Sequence, residues 1–212
     1  MSEARTEILR RIADAIGPRP ADQAAPRDYR LAGALGIAER IELFCTRVGE
    51  YRAQVHRVQE SDVATLISSV CAAIGAASLV VPAGVPAVWR PTDLAFVEDN
   101  GLSPHELDRV DGALTGCTAA VAETGTIILT AGALEGRRAL SLVPDLHVCI
   151  VREAQIVELV PDAMTMIRLQ GLERQPITFI SGPSATSDIE LSRVEGVHGP
   201  RNLVVLVTKE AS

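Results

Sequence analysis

Lysine is almost missing from this chain: of its 20 cationic residues all but one are arginine, and the exception is Lys209. A Walker-type phosphate loop needs a lysine directly after its last glycine, and a Schiff-base enzyme needs one held in the core; a lysine near the end of the chain suits neither. Aromatics are equally scarce. Tyr29, Phe44, Tyr51, Trp89, Phe96 and Phe179 are too scattered to form a stacking platform, and the net charge of −7 disfavours nucleic acid. The glycines never fall as G-x-G, so the dinucleotide fingerprint is absent, and neither G-x-S-x-G nor H-E-x-x-H occurs. Cys45, Cys71, Cys117 and Cys149 lie 26, 46 and 32 residues apart with no C-x-x-C, so zinc and iron–sulfur spacings are missing. The expectation is free, buried thiols, with no metal and no cofactor in this chain.

Two further absences bear on location. The first residues carry carboxylates where a signal peptide has basic residues, and no apolar stretch follows, which points to a cytoplasmic chain. The run from Val63 to Trp89 holds no charge, but Thr65, Ser68, Ser69, Gly75, Pro82, Gly84 and Pro86 interrupt it. It reads as helix, strand and loop, not a membrane span.

What is present is ordinary globular composition, 47% hydrophobic and 22% charged over 212 residues, enough for one domain with an arm. Ile8, Leu9, Ile12 and Ile16 predict a short amphipathic helix, and the prolines and glycines that follow read as a linker, so residues 1–36 form an arm and 37–212 the domain. Ile37, Ile41, Phe44, Val48, Tyr51, Val55 and Val58 alternate steps of four and three. This spacing predicts one long helix face, packed on a sheet or on a partner chain, which makes a homo-oligomer one outcome; the last residues of the seam also suit a strand. Beyond it the pattern predicts a helix over 61–74, strands at 78–81, 112–115, 126–130, 147–151, 177–180 and 203–207, a helix opened by Ser103, Pro104 and Glu106, and another over 163–169. Continuous apolar strands alternating with helices give an α/β fold with a mostly parallel sheet covered on both sides.

Ligands of such sheets bind in loops at the carboxyl ends of the strands. Three loops stand out. In Glu123-Thr124-Gly125-Thr126 a carboxylate and two hydroxyls meet at a glycine; Glu123 is either an acid, base or nucleophile, or a structural acceptor. Ser181-Gly182-Pro183-Ser184-Ala185-Thr186-Ser187-Asp188 is dense in hydroxyls, and the Ser187 to Glu190 spacing suits a helix start that receives an anion or is simply well capped. His198, held between Gly196 and Gly199-Pro200, is either a proton carrier or a structural hydrogen-bonder. Arg137 and Arg138, after Gly136, have the forked donors to clamp a carboxylate. The candidate catalytic residues are therefore Glu123 and His198, and the candidate ligand-binding residues Thr124, Gly125, Thr126, Ser181, Gly182, Ser184, Thr186, Asp188 and Gly199. The loop topology predicts that Glu123, Ser184, Asp188 and His198 share one concave site.

The segments AETGTIIL, ISGPSATSDIE and GVHGP, with Gly136-Arg137 through Cys149 between them, resemble the LUD-domain family in order and spacing, from about residue 40 to Val207. The resemblance implies a three-layer α/β/α Rossmann-like sandwich of the NagB/RpiA/CoA-transferase kind. It also implies a place among three proteins that together support bacterial oxidation of L-lactate to pyruvate, with iron–sulfur subunits as partners and a small carboxylate as ligand. A stand-alone CoA-transferase-like or sugar-phosphate-isomerase-like enzyme using Glu123, and a non-catalytic scaffold, are the alternatives. Two departures stand out. Ala185 replaces the basic residue that relatives often carry after GPS, and the cysteine motifs of cluster-bearing members are missing, so this chain is expected to be cluster-free.

Overall fold

The computed structural model describes residues 3–17, 29–183, 185–186, 194–195 and 199–209, the side chains of 185–186 and 194–195 excepted. Two compact units result, Met1–Arg30 and Leu31–Ser212. The first holds α1 (Glu3–Ile16), with its apolar residues on one face and Glu7, Arg10, Arg11 and Asp14 paired one turn apart along the helix.

In the second unit the stretch 31–36, read from sequence as part of the arm, is fastened to the domain. The Gly33 and Leu35 N–H groups donate to the carboxylates of Asp162 (3.2 Å) and Glu158 (2.6 Å). Then comes α2 (Ile37–Glu50), started by the Glu39 carboxylate, which accepts from the Gly36 N–H at 2.9 Å. The long seam from Ile37 to Val58 is not one helix. The helix ends at Glu50, the chain turns through Arg52 at φ 68°, and Val55 and Val58 belong to β1 (Gln54–Gln59). The buried part of the seam packs on the domain itself. Ile41, Phe44 and Val48 are buried among Ala120, Ala122, Ile127 and Val205, so the helix belongs to the core.

The chain continues through α3 (Val63–Ile74), β2 (Ser78–Val81), β3 (Ala95–Glu98), α4 (Pro104–Leu107), β4 (Gly112–Thr115), β5 (Ala119–Val121), β6 (Thr126–Leu129), β7 (Leu146–Arg152), β8 (Ile156–Val157), α5 (Val160–Leu169), β9 (Thr178–Ile180), β10 (Ala185–Thr186), β11 (Val194–Glu195) and β12 (Asn202–Lys209). α4 opens as its sequence demands: Ser103 and Glu106 cap each other's backbone and Pro104 takes the first turn.

A six-stranded sheet runs β1-β12-β7-β4-β2-β3, every neighbour parallel. Side chains alternate across it. Val148, Ile150, Val204 and Leu206 meet Val63 and Ile67 of α3 and the indole of Trp89, while Cys149, Val151, Val205 and Val207 meet α2. That is the expected mostly parallel α/β sandwich with helices on both faces. The sequence pattern does not announce a second sheet, β8-β5-β6-β9, which packs Ala120, Ala122 and Ile127 into the α2 layer and Ala119, Val121 and Ile128 against α5. Its β6 and β9 are the strands expected at 126–130 and 177–180, whereas alanine-rich β5 and two-residue β8 are too short to carry a period.

Candidate functional site

The turn between β5 and β6 holds the first predicted loop. Gly125 sits at φ 60°, and a Cβ there would fall 2.8 Å from the Arg47 backbone, so glycine alone lets the turn lie against the end of α2. Thr124 Oγ1 lies 2.7 Å from Thr126 Oγ1, and Thr126 Oγ1 lies 2.7 Å from Ser181 Oγ, which joins this turn to the chain leaving β9. Gly182 follows, packed against Tyr51. Four of the predicted residues, Thr124, Gly125, Thr126 and Ser181, are thus brought together with Gly182 beside them. Glu123 stands exposed at the turn, its N–H donating to the Glu158 carbonyl at 3.0 Å. Thr186 lies in β10, its backbone opposite Val194 of β11, and Gly199 is half-buried just before β12. Ser184, Asp188 and His198 lie outside the described residues.

The arginines after Gly136 already have partners. Arg137 grips the Asp99 carboxylate through Nε (2.7 Å) and Nη2 (2.8 Å) and also donates to the Leu102 carbonyl. That grip holds Asp99 below the usual aspartate range. Arg138 donates to Ser141, carbonyl (3.2 Å) and hydroxyl (3.0 Å). Both therefore brace the fold.

A second constellation escaped the sequence reading. Glu135, 5% exposed, accepts the Thr118 hydroxyl on Oε1 (2.6 Å), and on Oε2 the N–H and hydroxyl of Thr130 (each 3.1 Å) and the Gly132 N–H (2.8 Å). Four donors on one buried carboxylate organise the loop after β6, and Oε1 keeps lone-pair capacity for a further donor. Above it opens a cleft of about 400 Å³ with apolar walls from Leu134, Met166 and Leu172 and polar atoms from Thr118, Thr130 and Gln155. The cleft lies beyond the carboxyl ends of β4 and β7, where open parallel sheets take ligands. The signal in the sequence was a lone glutamate between two glycines, Gly132 and Gly136, directly after an apolar strand.

Cys117 lies at the cleft, and its thiol donates to Gln155 Oε1 at 3.5 Å. Its thiol is pushed well above the usual cysteine value, first by its hydrogen bond with Cys149 and then by burial; Glu135 adds to the rise and Arg152 opposes it. Among the described residues no three His, Cys, Asp or Glu side chains gather as a metal site, and no helix is long and apolar enough to cross a membrane.

The family model for the LUD domain matches residues 97–208, from β3 to β12 and thus across both constellations. The chain belongs to the LUD-domain family. A lactate utilization protein C of Deinococcus radiodurans is 46% identical over 209 residues, covering 97% of this chain and 96% of that protein. A lactate utilization protein C of Shouchella clausii is 28% identical, over 99% of this chain and all of its own length. The crystal structure of a DUF162 family protein from Deinococcus radiodurans superposes with a TM-score of 0.72 at 40% identity, covering 82% of this chain and 99% of that one. In this LUD domain the matched stretch holds the hydroxyl cluster, Glu135 and Arg152, whereas α2, β1 and α3 precede it.

Proposed function

We propose that this LUD-family chain serves bacterial L-lactate utilisation as a cluster-free, cytoplasmic partner of iron–sulfur subunits, and that it takes a small carboxylate at the carboxyl edge of its six-stranded sheet. The observation that carries this reading is the near full-length identity to proteins named for lactate utilization. The cysteine spacing supports a division of labour: with no cluster motif here, electrons from lactate are taken by a partner chain. The cleft over Glu135 supports a role in holding a small molecule.

The test is genetic. In a bacterium that grows on L-lactate through a LUD system, the gene for its lactate utilization protein C is deleted and this chain supplied in its place. Growth on L-lactate should return while growth on pyruvate stays constant throughout. Failure to restore lactate growth with the chain present at normal abundance contradicts the proposal.

A further inference from the structure

Arg152 ends β7, a central strand of the parallel sheet, and is fixed from below. Its N–H donates to Gln155 Oε1 at 2.9 Å, and Gln155 Nε2 donates to the Cys117 carbonyl at 2.5 Å, which ties this turn to the loop after β4. Other arginines around the sheet are engaged by carboxylates: Arg57 by Glu153, Arg90 by Glu98 and Arg137 by Asp99. Among the described residues no carboxylate lies within ion-pair distance of Arg152. Its guanidinium lies 5.8 Å from the centre of the Trp89 ring, at the outer reach of a cation–π contact.

Trp89 supplies the second observation. The indole is 1% exposed, and among the described residues its Nε1 donor has no hydrogen-bond partner. A buried N–H left unpaired costs free energy comparable to a lost hydrogen bond, and tryptophan can only donate. An uncommitted guanidinium and an unpaired indole N–H therefore stand together at the ligand edge of the sheet. Both donate, neither accepts, and what completes them is an acceptor carrying negative charge.

We propose that Arg152 and Trp89 form the carboxylate-binding pole of the LUD-domain site. A planar carboxylate offers two acceptor oxygens to the fork of Arg152 and the N–H of Trp89. Its identity as a 2-hydroxy or 2-oxo acid rests on the lactate reading above.

Trp89 is the only tryptophan of the chain, so its intrinsic fluorescence reports on the proposed site directly. The full chain is titrated with L-lactate, pyruvate, acetate and inorganic phosphate. A saturable change in Trp89 emission with one or more of the three carboxylates is expected. Arg152→Gln should weaken binding about tenfold or more, Arg152→Lys less, because a point charge keeps the attraction but loses the fork. Exchange of the exposed Arg201 for Gln should leave binding unchanged. Circular dichroism and melting temperature confirm that each variant is folded. Absence of any response to the three carboxylates, response to phosphate alone, or undiminished binding by folded Arg152→Gln and Arg152→Lys overturns the proposal. A chain that restores growth on L-lactate but shows none of these carboxylate responses loses the Arg152 site and keeps the lactate role; one that binds lactate through Arg152 but restores no growth does the reverse.

Discussion

His147 is fully buried in β7, with Nε2 2.8 Å from the Thr115 hydroxyl and, among the described residues, no partner for Nδ1. Burial, helped by the nearby positive charge of Arg138, lowers its pKa from 6.5 to about 4. The native ring thus stays neutral where the unfolded ring takes a proton. Since the unfolded state binds more protons between those two values, stability is complete above pH 6.5 and falls as the pH drops toward 4. The expected loss is on the order of 3 kcal/mol at most, spread over that window. Urea unfolding at pH 7, 5.5 and 4.5 should show it, and His147→Gln should flatten the trend. A His147→Gln protein with an unchanged acid slope would assign the effect to other groups.

At the scale of elements, α2 and the β5–β6 turn depend on each other. Phe44 is fully buried between them and the main sheet, so Phe44→Ala should cost about 3 to 5 kcal/mol. Gly125→Ala adds a Cβ 2.8 Å from the Arg47 backbone at positive φ, and should cost about 1 to 3 kcal/mol. Denaturant midpoints measure both; a neutral Gly125→Ala would mean that the turn does not press on the helix. These elements also mark how far the sequence could be read. Strands with continuous apolar runs, such as β2, β7 and β12, and the capped start of α4 declared themselves. The seam that crosses from α2 into β1 misled because steps of three and four carry on past the turn at Arg52, where Val55 and Val58 are only half-buried and face opposite sides of a strand, one toward the α2 layer and the other toward α3. Alanine-rich β5 and two-residue β8 hold too few side chains to show a period.

At the scale of the whole molecule, the family was legible because three loop motifs keep their order, while half of the candidate site was not. The hydroxyl cluster of Thr124, Thr126 and Ser181 could be suspected from residue types. The donors gathered on buried Glu135 and the unpaired indole N–H of Trp89 beside Arg152 could not, because they arise only when loops distant in sequence close over one sheet edge. The clamp roles read for Arg137 and Arg138 went instead to Asp99 and Ser141, for the same reason. Conversion of L-lactate to pyruvate in an extract of the deletion strain, before and after adding purified chain shown to be iron-free by elemental analysis, tests the function most directly. Restored pyruvate formation that depends on the iron–sulfur partners is the expected result. Full lactate oxidation without the chain, or none after its addition with the partners present, would contradict it.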